Sequence, residues 1–163
     1  MTVQATSRRR FLGTTSLAAG APFVSRLSWA AGSPMQKLQY AGIGLGGRGM
    51  FDVQSISKHE KVKMIAGADV DSATANRLEV RMEGVKTFSD WREMFEIMGK
   101  HIDVVSVSTP DHMHGIMAMS AMNLGKHVYV QKPLAQTIGE CRAMEENARR
   151  NKVIVQMGTQ GAS

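Results

Sequence analysis

The amino-acid sequence predicts an α/β domain: a doubly wound parallel sheet of six strands in the order 3-2-1-4-5-6. Three observations carry that expectation. Apolar runs alternate with stretches of helical spacing throughout residues 37–158. The first run leads directly into a glycine-rich turn, "GIGLGGRG". The fourth, "IDVVSVST", is a continuous β-branched run, as a strand covered on both faces requires.

A chain of 163 residues is long enough for one domain with a full core, and 43% hydrophobic with 21% charged residues is an ordinary globular balance. The formal charge of +6 is concentrated at the N-terminus, where Arg8, Arg9, Arg10 and Arg26 face no acidic residue before position 31. Setting these four aside leaves 16 basic against 14 acidic residues, so no nucleic-acid footprint is expected of the body. The single cysteine, Cys141, excludes an intrachain disulfide and a cysteine-based metal cage. It is expected to be packed.

Residues 1–30 read as an export signal: a basic start, a mildly apolar stretch and a small-residue site at Ser28 and Ala30. Ser7-Arg8-Arg9 followed by Phe11-Leu12 resembles the twin-arginine pattern, with Gly13 in place of its last lysine. That resemblance implies the Tat export machinery as a partner and a periplasmic or other extracytoplasmic destination. It also implies folding, and commonly cofactor loading, before export. Pro22 and Arg26 interrupt a stretch already too short to span a membrane, so no membrane association is expected after cleavage. Residues 31–36 form a linker.

The elements follow in order. Leu38 to Ile43 is the first strand. It enters Gly44, Gly46 and Gly49, which fit G-x-G-x-x-G; Gly42, Gly44 and Gly47 fit it as well, and the later register is preferred because it leaves a longer strand. In this motif the first glycine allows the turn and the second lets the backbone approach a pyrophosphate. The third lets the helix pack on the strand, and the helix N-terminus faces the anion. Arg48 either adds a charge there or points to solvent. The second strand, Val62 to Asp69, ends in an acid suited to accept hydrogen bonds from the ribose hydroxyls of NAD and to repel the extra phosphate of NADP. Asp71 is expected to cap the helix that spans Ala73 to Met82.

Val85 to Phe88 reads as a short third strand, and Ser89 as the cap of a helix through Met98 with Trp91, Met94, Phe95 and Met98 on one face. After the fourth strand, Asp111 to Leu124 is helical and ends at Gly125. "HVYVQ" is the fifth strand. Thr137 and Glu140 have capping-box spacing for a helix to Arg150, and "VIVQM" is the sixth strand. The methionines are expected to fill the core; Met113, Met117 and Met119 need no cofactor to explain them. His112 and His114, two apart on a helix, point apart, so no metal site is expected.

In such a sheet ligands lie beyond the carboxyl ends of the strands. There stand "STPDHMH" (Ser108 to His114) and "QKP" (Gln131 to Pro133). With "GLGGRG" and Asp69, and with "GKHVYVQKPLA" around the second of these turns, the sequence resembles the Gfo/Idh/MocA oxidoreductase family over about residues 37 to 163.

The resemblance implies a Rossmann fold that binds NAD(P) through Gly44, Gly46, Arg48, Gly49, Asp69, Thr109, Pro110, His114, Lys132 and Pro133, and Asp69 favours NAD over NADP. It implies hydride transfer at a sugar or polyol hydroxyl, with Lys132 at the nicotinamide end of the site as the catalytic residue. There its ammonium would stabilise charge developing on oxygen or join a proton relay. Pro133 would fix the turn, with a cis Lys132–Pro133 bond compatible with it. The family's motif is usually E-K-P, so Gln131 is a departure; glutamine keeps shape and hydrogen bonding, and Gln131→Glu is expected to be mild, with a shift of the pH optimum as a charge returns beside Lys132. An NAD-dependent glycosidase of the same family is the alternative, though the lysine favours the dehydrogenase branch. The family's second, substrate-binding α/β domain, which usually builds the oligomer, is absent from this sequence, and residues 159–163 read as the start of a cut connection. A non-catalytic nucleotide-binding module is therefore a further alternative, and a homo-oligomer is expected only with that second domain.

Overall fold

The computed structural model describes residues 37–159. The expected export signal, the linker and residues 160–163 lie outside the described residues. Six strands, β1 (Leu38–Ile43), β2 (Val62–Ala68), β3 (Lys86–Phe88), β4 (Val104–Val107), β5 (His127–Gln131) and β6 (Val155–Gly158), form one sheet. Five α-helices connect them: α1 (Arg48–Ser57), α2 (Ser72–Arg81), α3 (Trp91–Met98), α4 (His114–Asn123) and α5 (Ile138–Asn151). All the pairings are parallel and the order is β3-β2-β1-β4-β5-β6, as expected.

Alternate side chains of each strand point to opposite faces, so the sheet has two apolar layers. Tyr40 and Met64 pack with Leu45, with Val53 of α1 and with Leu78 of α2. On the opposite face Ala41, Ile43, Val105, Val107, Val128 and Val130 pack with Met94 and Phe95 of α3, Met117 and Met122 of α4, and Met144 of α5. The chain winds one way from β1 to β3, then crosses back to build β4 to β6, which puts the two helix sets on different faces. The reversal falls between β1 and β4, and their carboxyl ends splay the following loops apart. Each fully buried large apolar side chain contributes about 1.5–3 kcal/mol, so these layers are the main source of stability.

Helix starts differ from expectation by small steps with clear causes. Asp71 caps α2 as expected, accepting from the Ala73 N–H at 3.0 Å. Its carboxyl is held below its ordinary range first by the Thr74 hydroxyl and then by the Ala73 N–H. Asp90, not Ser89, caps α3, accepting from the Arg92 N–H at 2.8 Å. The single helix expected from Asp111 to Leu124 begins instead as a 3₁₀ turn, Asp111–Met113, with α4 starting at His114. The Thr137–Glu140 capping box is complete: the Glu140 N–H donates to Thr137 Oγ1 at 3.1 Å, and the Thr137 N–H donates to Glu140 Oε2 at 2.9 Å. Thr137→Ala removes one half of this reciprocal pair. We expect it to cost about 1 kcal/mol in chemical denaturation, with Thr137→Ser close to neutral.

Candidate cofactor site

The glycine turn is shaped by two close approaches. Gly44 directly follows β1 with φ of 81°, and a Cβ there would lie 2.6 Å from the Ser108 carbonyl oxygen. A Cβ at Gly49 would lie 1.9 Å from the Gly44 carbonyl oxygen. Helix α1 thus sits directly on the end of β1, a contact that only glycine permits. This geometry follows the register Gly44–Gly46–Gly49. In the other register Gly42 lies inside β1, and a Cβ at Gly47 would meet nothing within 4 Å. Gly47 precedes α1 without any side-chain cap, and no acidic residue occupies the first turn, so the positive end of the helix faces the loop crevice.

Asp69 lies across the turn. Its Oδ2 accepts from the Leu45 N–H at 2.7 Å and its Oδ1 from the Asp71 N–H at 2.9 Å. A carboxylate has about four acceptor positions, so each oxygen keeps capacity for a hydroxyl. Gly44, Gly46, Asp69, Thr109 and Pro110 share the wall of one cavity of ≈ 610 Å³. Val70, Trp91, Met113 and Met117 supply apolar surface to the same wall. The two methionines therefore do more than fill the core: they also border the crevice. Thr109 is braced by its Oγ1, which donates to the Met117 sulfur at 3.5 Å.

His114 is placed differently from the cavity residues. It is 1% exposed, with Nδ1 2.6 Å from the Pro133 carbonyl oxygen and Nε2 2.8 Å from the Thr109 carbonyl oxygen. With both ring nitrogens on backbone oxygens it has none left for a cofactor. It ties the turn after β4 to the turn after β5. His112, by contrast, is exposed in the 3₁₀ turn.

The Lys132–Pro133 bond is cis, and both residues are exposed at the end of β5. The Lys132 N–H lies 3.4 Å from Gln131 Oε1, and its ammonium makes no ion pair among the described residues. Arg48 turns back on its own helix: Nε pairs with Asp52 Oδ1 at 3.1 Å, and the guanidinium lies 4.4 Å over the Phe51 ring. Its side chain is 43% exposed, which joins the two roles the sequence left open to a third, an anchor for Asp52.

Sequence reasoning missed Asp52. It is 3% exposed, and its Oδ2 accepts from Ser108 Oγ at 2.9 Å and from Gln131 Nε2 at 2.7 Å. Its i, i+4 spacing from Arg48 was the only signal, and that spacing alone reads as a surface pair. Beside it Tyr40 and Ser106 share a buried hydrogen bond of 2.5 Å. Burial, with smaller contributions from the charge of Asp52, raises both the Tyr40 and the Tyr129 hydroxyls above their ordinary range.

The residues fit a dinucleotide. Gly44 and Gly49 leave the close backbone approach that a side chain would fill, the uncapped end of α1 suits a pyrophosphate, and Asp69 offers acceptors to a ribose. This is the NAD-binding class of Rossmann domain. The chain belongs to the Gfo/Idh/MocA family, an oxidoreductase family with an NAD-binding Rossmann fold, matched over residues 38–159.

Among curated relatives, the levoglucosan dehydrogenase of Pseudarthrobacter phenanthrenivorans is 37% identical over 95 residues, 58% of this chain and 23% of that protein. The alpha-N-acetylgalactosaminidase of Shewanella oneidensis is 32% identical over 127 residues, 72% of this chain and 27% of that protein. Among solved structures, myo-inositol 2-dehydrogenase from Lactobacillus plantarum superposes with a TM-score of 0.69 at 26% identity, over 76% of this chain and 36% of that one. The chain thus spans about a quarter to two fifths of the length of the curated relatives it matches.

Asp69 does two jobs in this geometry, which sets the outcome of removing it. We expect Asp69→Ala to weaken both dinucleotides, because the Leu45 N–H loses its acceptor. NAD should lose more, roughly 10- to 100-fold, since the ribose acceptor goes too, while NADP is relieved of a repulsion. Binding titrations with both nucleotides check this; equal losses would take Asp69 out of the ribose role.

Proposed function

We propose that the protein uses NAD to transfer a hydride to or from a hydroxyl-bearing carbon of a sugar or polyol, and that residues 37–159 are its cofactor-binding portion. The observation that carries this reading is the shared cavity wall: the glycine turn, Asp69 and the Thr109–Pro110 turn meet there. The Lys132 turn is fastened to that wall through His114. The names of relatives support the substrate class, since levoglucosan and myo-inositol are a sugar derivative and a polyol.

When bound, the nicotinamide would accept the hydride in oxidation and donate it in reduction. The chain's own residues bind and orient it. Gly44, Gly46 and the end of α1 take the pyrophosphate, and Asp69 takes the adenosine ribose. Val70 and Pro110 offer apolar walls for the base. Lys132 is exposed and has no ion-pair partner among the described residues; its ammonium would reach the reacting oxygen and stabilise the charge that develops there.

A second reading is favoured by one observation, the alpha-N-acetylgalactosaminidase relative. In that case NAD is reduced and reoxidised within one turnover and a sugar is released from its leaving group. Net NADH formation from a free sugar, against leaving-group release with no net NADH, separates the two. A module that binds nucleotide without chemistry would do neither.

We also propose that the Ser7-Arg8-Arg9 segment with Phe11-Leu12 directs twin-arginine export to an extracytoplasmic destination, in keeping with a protein that folds around a cofactor first. Replacing Arg8 and Arg9 by lysine should leave the protein in the cytoplasm in a fractionation experiment. Unchanged export would refute the assignment.

For the chemical step, Lys132→Met in the full-length protein should lower kcat by about 100-fold or more. NAD affinity and thermal stability should change little, because the lysine is exposed and its stem is largely kept. Parental turnover would make the lysine structural.

A further inference from the structure

We infer that Asp52 is a positioning residue that locks the glycine turn, the turn after β4 and the Lys132 turn into one unit, and that it requires a neutral hydrogen-bond donor at position 131. The inference rests on the proposed cofactor site only in naming what is positioned. The lock itself is visible without a nucleotide.

Three elements far apart in sequence converge on one carboxylate. Oδ1 takes Arg48 Nε at 3.1 Å, from the first residue of α1. Oδ2 takes Ser108 Oγ at 2.9 Å, just past β4, and Gln131 Nε2 at 2.7 Å, at the end of β5. Asp52 is 3% exposed and Gln131 5%, so water cannot replace a missing partner cheaply. The carboxamide of Gln131 is oriented by this arrangement. Its nitrogen must face the carboxylate, which turns its oxygen to the Lys132 N–H at 3.4 Å. The side chain beside the lysine therefore reads Asp52 with one end and the lysine backbone with the other.

A glutamate at 131 fits only half of this. One of its oxygens still accepts from the Lys132 N–H, but the other faces Oδ2 of Asp52 at hydrogen-bond distance. Two carboxylates that close in a buried place cannot both be ionised. Arg48 is the one cation on Asp52 among the described residues, and it is already engaged with Oδ1. Tyr40 from β1 and Tyr129 from β5 also feel the charge of Asp52, but their hydroxyls stay neutral and add no positive charge; the ammonium of Lys132, next in sequence to position 131, is on an exposed side chain and is screened by water. The pair would have to hold a proton. The expectation drawn from sequence, a mild effect with a shifted pH optimum, is thus replaced by a pH-dependent loss of stability.

The same geometry specifies a rescue. In the double variant Asp52→Asn/Gln131→Glu the amide and the carboxylate change places. The new asparagine turns its oxygen to Arg48 and its nitrogen to the new glutamate and to Ser108 Oγ, which can accept instead of donate. One carboxylate and one amide again meet across the same gap.

The test is a thermal-unfolding cycle without nucleotide across pH 5 to 8, run on the parent, the two single variants and the double variant, with NAD titrations beside it. Gln131→Glu should melt several degrees lower at pH 8, on the order of 5 °C for a domain of this size. The folded pair holds its proton to a higher pH than the unfolded chain does, so the deficit should be full above that raised value, shrink as pH falls through it, and vanish below the ordinary carboxylate range. The double variant should recover most of the loss and lose the pH dependence. NAD affinity should follow the same order, falling roughly tenfold in Gln131→Glu and returning in the double variant. A pH-independent Gln131→Glu melt, or a double variant whose loss is the sum of the single losses, overturns the lock. A melting cycle that couples while NAD affinity stays flat in a parent that binds NAD overturns the positioning role. A parent that does not bind NAD, with the melting cycle still coupled, leaves the lock standing and removes the cofactor reading instead.

Discussion

The close approach of Gly49 to the carbonyl of Gly44 governs the rest of the site. A helix can start that near to a strand end only where a side chain is missing, because a Cβ would be 1.9 Å from the oxygen. The approach has three consequences at once. It brings the N–H groups at the start of α1 over the crevice between β1 and β4. It sets Leu45 so that its N–H meets Asp69 at 2.7 Å. One turn further along, it carries Asp52 over the ends of β4 and β5, where Ser108 and Gln131 reach it. Dinucleotide recognition and the polar seam beneath it thus depend on the same pair of glycines.

The sheet was legible in the sequence because each strand is locally marked. Leu38–Ile43 and the run ending at Val107 are apolar over lengths that only strands need, and the caps at Asp71 and Thr137 carry their own chemistry. Errors fell where two neighbours offer similar chemistry: Ser89 and Asp90 are both capping residues, and tertiary geometry gave the role to the second. Asp52 was not legible for a stronger reason. Its partners lie 56 and 79 positions away, and they become neighbours only once β4 and β5 line up beside β1. His114 is an intermediate case. The pattern around it pointed to the site, but its burial between two carbonyls depends on how the turns after β4 and β5 meet. Local sequence marks backbone conformation and surface chemistry well. It does not mark a buried polar contact assembled from a helix, a turn and a strand end far apart in the sequence.

The turn that carries Lys132 is held on both sides. Before it, the Gln131 side chain is anchored to Asp52; after it, the Pro133 carbonyl is anchored to His114. Between these two anchors the lysine side chain stands exposed. When the ammonium engages an oxygen, the freedom surrendered is that of one side chain, about 2 kcal/mol at most, and no stretch of backbone has to be ordered with it. In the proposed reaction, an exposed lysine on an already fixed base would meet hydroxyls at somewhat different positions without changing the turn beneath it. In such a site, tolerance toward related sugars would come from four rotatable bonds, and the accuracy of the cofactor's placement from the frame that does not move.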